Sequence, residues 1–379
     1  MSRARDFADL AGAADAGGLT GRNLIINGAV NVHQRNADAT TTDTFGPDRY
    51  QLQFTGGGTT MSHEDMTSSD TPYSSGFRNF LRIKNTTTTS GAGDYRQITY
   101  RLEAQDIANS GWDYTSTSAY MTVSFWVRSS VAGKFYFTLE TGASGSDKYY
   151  GFSETLVADT WKKVEHSVPG NSTLTFANSN ARGLGFIVRG WLGTNYTDSG
   201  FTEDTWGSFS LSSLAGDDLA NWAGTTNSTL DVVGLQMEVG SQATPFEHRS
   251  YDEERLACYR YFFQFGSDGS TGVSGTNNNS LINYAYAKST TGIEAAVRPP
   301  LPMRVQPTVT VSATGDVACH LPGFVRVPAT ALSTQDNLSG FASVHLNVTI
   351  GSNAEFTAGK ICFFEFNGAD KYLRMDAEL

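Results

Sequence analysis

Carboxylates and large rings crowd one stretch of this sequence. Between positions 191 and 222 the acids Asp198, Glu203, Asp204, Asp217 and Asp218 alternate with Trp191, Tyr196, Phe201, Trp206 and Trp222, in a segment otherwise rich in Gly, Ser and Asn. Two carboxylates held about 5 Å or about 6.5–9.5 Å apart are what glycoside hydrolysis needs, so a hydrolytic pair is one chemistry this stretch offers. Structural calcium, held by carboxylate and carbonyl oxygens, is another, although the ordered spacing of an EF-hand is absent. The plainest reading of the acids is solvated surface. A ring exposed on a loop offers an apolar face to a sugar or a protein, with an N–H or O–H at its edge to hydrogen-bond. Trp191, Tyr196, Trp206 and Trp222 are therefore the ligand-binding candidates, against the alternative that the rings pin the long loop to the body of the domain.

Elsewhere the chemistry is thin. His63-Glu64-Asp65 gathers three polar groups, but no second histidine stands at a metal-ligand offset on a helix, and the triplet reads as a solvated turn. A nucleophile elbow, a P-loop and a dinucleotide-binding glycine motif after a strand are all missing. No residue is assigned a catalytic role, no cofactor is expected, and an enzyme is not.

The elements that must position these side chains are strands. Charged residues make up only 17% of the 379 residues while aromatics reach 12%, and 39 Gly sit among many Thr, Ser and Asn, a balance that favours strands joined by turns. In Tyr120–Arg128 the apolar residues Met121, Val123, Phe125 and Val127 alternate onto one face, the period of a half-buried strand. Trp126 and Tyr120 then point the opposite way, towards a second layer. Further strands are predicted at 50–54, 80–84, 95–102, 134–140, 161–168, 183–188 and 231–239, then at 281–287, 308–312, 344–350 and 360–366. The long polar connection 193–222 is a candidate functional surface.

Asn27-Gly28 suits a tight turn, and the first domain begins near Asn23. Before it, residues 1–22 offer only Phe7 and Leu10 as sizeable apolar anchors, too few to order the segment alone. Asp252 is expected to cap a short helix through Cys258, and four prolines at 299–307 mark a loop or edge segment. The resulting fold is all-β: an N-terminal arm (1–22), a β-sandwich (23–246), a short helical connector (247–264) and a C-terminal β-sandwich domain (265–379).

A formal net charge of −11 opposes a nucleic-acid backbone as partner, and no segment is apolar enough to insert in a membrane. Cys258, Cys319 and Cys362 are too few and too widely spaced for a disulfide framework or a zinc site; buried packing in a reducing cytosol is the reading.

Several stretches resemble a pattern shared by phage tail-fibre and related virion structural proteins, notably of marine phages. They are NLIINGAVNVHQR with PDRY, MTVSFWVRSSVAGKFYFTL followed by ADTWKKVEHSVPG, LDVVGLQMEVGSQATPFEHRSYDEERLACYRYF, and RVQPTVT with the terminal MDAEL. The resemblance implies a carbohydrate-binding-module-like jelly roll for the first domain and a place on the phage particle. It makes the opening MSRARDFADL a virion-attachment arm, with Arg3, Arg5, Phe7 and Leu10 as its candidate contacts with other virion proteins. The implied function is a short tail fibre or receptor-binding component, trimeric, that displays weak sites for host surface glycans. A capsid decoration or head fibre is the alternative, and a polysaccharide depolymerase a second one.

Overall fold

The computed structural model describes residues 21–142, 147–266, 281–321, 323, 326–335, 339–368 and 371–379. The attachment candidates Arg3, Arg5, Phe7 and Leu10 lie outside them. The chain divides into two compact units: the first holds Ala37–Glu254, the described residues up to His33, and Leu379; the second holds Gln34–Asn36 and Arg255–Glu378.

The first unit is built from β1 (Thr44–Phe45), β2 (Tyr50–Thr55), β3 (Thr59–Asp65), β4 (Asn79–Asn85), β5 (Tyr95–Glu103), the one-turn helix α1 (Ala104–Ala108), β6 (Tyr120–Ser129), β7 (Gly133–Thr141), β8 (Lys148–Leu156), β9 (Lys162–Pro169), β10 (Arg182–Leu192), β11 (Gly207–Ser208) and β12 (Thr229–Val239). They form two antiparallel sheets, one of seven strands ordered β1-β2-β5-β10-β7-β8-β11 and one of five ordered β3-β4-β12-β6-β9. Because the chain passes from one sheet to the other after β2, β4, β5, β6, β8, β9 and β11, neighbours in space are seldom neighbours in sequence, the crossing pattern of a jelly roll.

Alternation explains the packing. Met121, Val123, Phe125 and Val127 of β6 are completely buried, as predicted, and they meet Phe135, Phe137 and Leu139 of β7 and Leu184, Phe186 and Val188 of β10 in a single core. Trp126, on the other face of β6, is only half-buried.

Two local expectations change and a third holds. His63-Glu64-Asp65 belongs to strand β3 and not to a turn: His63 lies opposite Leu81, and its Nε2 is 2.9 Å from the Val30 carbonyl. The connector helix is capped by Ser250 rather than Asp252. The Ser250 backbone N–H donates to Glu253 Oε2 at 2.8 Å while its hydroxyl accepts from the Glu253 N–H, a reciprocal capping box that starts α2 (Tyr251–Cys258) two residues earlier. Asn27-Gly28 does form the predicted turn: Asn27 takes a left-handed φ of 61°, and its buried amide holds Val32 at 2.9 Å through the N–H of that residue.

The second unit contains β13 (Phe262–Gly266), β14 (Leu281–Ala287), β15 (Gly292–Val297), β16 (Thr308–Val311), β17 (Val317–His320), β18 (Arg326–Thr334), β19 (Val344–Ile350), β20 (Ile361–Phe366) and β21 (Tyr372–Asp376). The all-β class holds here, but the expected sandwich takes the form of a closed six-stranded barrel, β14-β15-β19-β18-β17-β20, with a separate three-stranded sheet, β13-β21-β16. Closure follows because β20 pairs with β14 on one side and β17 on the other, leaving no edge. Cys319 and Cys362 are buried inside with Val297, Val344, Leu346 and Phe364, and Cys258 is buried as well; all three are free thiols. Among the described residues no helix is long and apolar enough to cross a membrane.

Candidate functional site

The outward face of the seven-stranded sheet carries a cleft lined by polar side chains. In β5 the core takes Ile98, Tyr100 and Leu102, so alternation turns Tyr95, Gln97, Thr99 and Arg101 outwards. Gln53 of β2, Ile187 and Arg189 of β10 and Glu140 of β7 join them across the sheet, and together they line a cleft of about 250 Å³. Exposed Phe209 and Leu211 form an apolar lip.

The polar floor is fixed by hydrogen bonds between side chains. Gln97 Nε2 and the Thr99 hydroxyl each donate to Gln53 Oε1 at 2.8 Å, while Arg189 donates to Gln97 Oε1. Arg182 Nη2 donates to Glu140 Oε1 at 2.9 Å. Such a network sets the direction of each amide and guanidinium in advance, which lowers the ordering cost of binding a polar ligand. Burial, and then the charge of Asp43, raise the pKa of Tyr95, so its phenol stays protonated and can donate.

The long connection 193–222 forms one wall. Leu214 and Ala215 close a small apolar cluster with Tyr136, Tyr149 and Leu192, and the Tyr149 hydroxyl donates to the Leu214 carbonyl. Tyr196 stands at the cleft with its ring edge-on to Tyr95, centroids 5.7 Å apart, and its hydroxyl donates to the Gly93 carbonyl at 3.1 Å.

The other candidate rings do different work. Trp222 is 0% exposed and Trp191 9%, both packed in the sandwich core, so neither presents a ring face to a ligand. Trp206 is half-buried against Tyr150, centroids 5.3 Å apart, and its Nε1 donates to the Pro169 carbonyl at 2.7 Å. Trp206 and Trp222 thus pin the loop, Trp191 belongs to β10, and of the four Tyr196 alone reaches the cleft.

Four of the five loop acids, all but Asp217, have partners of their own. Glu203 accepts from the Ser153 hydroxyl at 2.6 Å and pairs with Lys134 at 2.7 Å; Asp218 accepts from the Tyr136 hydroxyl at 2.6 Å and pairs with the same lysine at 3.0 Å. Burial and the bond to Asp218 push the Tyr136 phenol up to about 12, and that same bond, followed by Lys134, holds the Asp218 carboxyl below its usual range. Asp204 lies 3.2 Å from His166, and Asp198 caps the Gly200 N–H at 2.8 Å. Among the described residues no group of three or more His, Cys, Asp or Glu is placed to hold a metal ion.

The cleft residues Gln53, Tyr95, Gln97, Thr99, Arg101, Glu140, Arg182 and Arg189 were not singled out from the sequence. Their signal lay in the polar half of strands recognised by their apolar half.

No family model matches the sequence, and no curated protein matches it. Among solved structures, an enzymatically active domain of tailspike protein 4 from bacteriophage CBA120 overlaps at a TM-score of 0.32 with 8% identity, covering 57% of this chain and 21% of that one. The CBM22-1 xylan-binding domain of Paenibacillus barcinonensis Xyn10C overlaps at 0.26 with 10% identity, over 55% of this chain and 96% of that one. The N-terminal cellulose-binding domain of Cellulomonas fimi β-1,4-glucanase C overlaps at 0.26 with 11% identity, over 54% and 95%. Overlaps of this size assign no ligand, and the function has to be argued from the cleft.

Proposed function

We propose that the first unit is a glycan-binding module whose ligand lies in the cleft on the seven-stranded sheet, and that the chain displays it on a phage particle as a short tail fibre or receptor-binding component. The observation that carries the binding half is the composition of one concave surface: tyrosine rings at one end, an apolar lip at another, and a floor of pre-oriented amides and guanidiniums. A pyranose presents the same mixture, apolar C–H faces ringed by hydroxyls that both donate and accept. The virion half rests on the resemblance of the stretches around Asn23–Arg35 and Leu230–Phe262. On this reading copies assemble as a trimer, and weak single sites gain ~10²–10⁴ in apparent affinity through linkage.

The reading is non-catalytic. Among the described residues Glu140 is the single acidic side chain lining the cleft, and Arg182 holds it, whereas hydrolysis of a glycosidic bond uses two carboxylates in different protonation states. Affinity electrophoresis of the full chain through gels loaded with host envelope polysaccharides tests the binding: retarded migration without release of reducing ends is expected, and sustained release would move the protein to the depolymerases. For the virion half, a chain lacking residues 1–20 is expected to fold yet fail to enter particles; normal incorporation would contradict the attachment role of Arg3, Arg5, Phe7 and Leu10.

A further inference from the structure

Within an acidic chain the cleft is locally basic. Arg101, Arg182 and Arg189 line it against Glu140, and Arg49 lies near enough to Arg101 for their charges to repel. Glu140 is taken by Arg182, leaving the other two guanidiniums with neutral side-chain partners. Arg189 is 3% exposed and bonds to the Gln97 amide oxygen and the Tyr149 hydroxyl, with its Nε–H left without an acceptor. Arg101 donates to the Gln51 amide oxygen and to the Leu379 backbone oxygen at 2.8 Å. Burial, then the positive charge of Arg182, depress the pKa of Arg101 from its ordinary value, while Glu140 and Asp43 pull it the other way.

We infer that the cleft takes an acidic glycan, one whose repeating sugars carry carboxylate or sulfate groups, with the anion seated among Arg101, Arg182 and Arg189. This inference rests on the glycan-binding reading of the same cleft and narrows its ligand class. Buried guanidiniums are arranged at a desolvation cost, and that cost is recovered when an oxyanion accepts their N–H groups in a charge-assisted, fork-shaped contact stronger than a neutral hydrogen bond. A neutral sugar would leave that charge uncompensated. The net charge of −11 opposes a polyanion at long range, so the arginines of the cleft have to supply the attraction locally.

Titration calorimetry of the full chain with three probes of matched length tests this: an oligogalacturonate, a sulfated galactan oligosaccharide, and neutral xylohexaose. At least one acidic probe is expected to bind on the order of tenfold tighter than the neutral one, and to lose most of that margin between about 50 and about 500 mM salt. The two acidic arms tell carboxylate from sulfate. Arg182→Gln, at a half-exposed position, is expected to reduce acidic binding about tenfold and neutral binding by much less, so that the margin between the probes narrows; the salt series on the unaltered protein carries the same information should the variant fold poorly. Equal or tighter binding of xylohexaose, insensitive to salt, would overturn the acidic assignment while leaving the cleft a glycan site. No binding of any probe would overturn both.

Discussion

Phe201 occupies the space that a side chain on Gly151 would need: a Cβ added at Gly151 would come within 2.5 Å of Phe201 Cζ. The ring also stands edge-on to Tyr136, centroids 5.6 Å apart, so the middle of the 193–222 connection is seated on β8 and β7. This contact and the buried tryptophans convert a polar, glycine-rich loop into a wall.

Gly151→Ala is therefore expected to displace Phe201 and loosen the loop while the sandwich keeps its melting temperature within a few degrees. Hydrogen–deuterium exchange over 196–219 measures it; unchanged protection there would show that Phe201 does not hold the loop.

Trp222→Ala is expected to cost ~3–5 kcal/mol, the usual penalty for emptying a buried tryptophan site. Tyr196→Ala, at the cleft, should cost far less and weaken polysaccharide binding instead. Urea unfolding beside affinity electrophoresis separates the two, and a small loss of stability at Trp222 would contradict its place in the core.

Asp231 sits 1% exposed between Arg82, which donates at 2.7 Å, and Arg128, at 2.8 Å. Asp231→Asn leaves two guanidiniums over β12 without their shared anion, and a loss of ~3–5 kcal/mol is expected, as for other broken buried pairs. Near-neutral stability would mean that solvent compensates both arginines.

His166 stacks flat on Phe152, centroids 3.9 Å apart, and burial lowers its pKa below the ordinary value even though Asp204 pulls the other way. The folded state thus prefers the neutral ring. Its contribution is present above the unfolded pKa of about 6.5 and is lost as pH falls below it, because the unfolded chain then binds the proton more readily. Urea midpoints at pH 7.5 and pH 5.5 should differ more in the parent protein than in His166→Phe, which keeps the stack and removes the proton.

The strand pattern was readable where a row of large apolar side chains is long and unbroken, but β8 and β15, with Tyr150 and Phe152 or Ile293, Ala295 and Val297 facing inwards, were not predicted. Met121, Val123, Phe125 and Val127 announced β6 because nothing interrupts their period. β3 was missed because Thr59, Ser62, His63 and Glu64 are polar for a strand at a sheet edge, where partners come from one side only. In the barrel β17 is four residues long and β18 has little buried apolar surface, so pairing rather than hydrophobic period defines them. The site was the hardest to read: Tyr95, Gln97, Thr99 and Arg101 look like the solvated half of an ordinary strand until β2, β7 and β10 bring Gln53, Glu140 and Arg189 beside them. The loop tryptophans drew attention by composition, but a large ring in a polar segment is as useful for anchoring as for binding.

The central claim, that a glycan lies in this cleft, turns on Gly185. It lines the cleft in β10, and a Cβ there would make only ordinary contacts, 3.6 Å to the Glu140 carbonyl and 3.7 Å to the Tyr100 carbonyl. Gly185→Leu should fill the cleft without straining the strand. The decisive measurement is its binding isotherm for the polysaccharide that retards the parent protein, taken with its thermal unfolding curve: an unchanged melting temperature with binding lost is predicted, and an unchanged melting temperature with binding intact would place the ligand elsewhere.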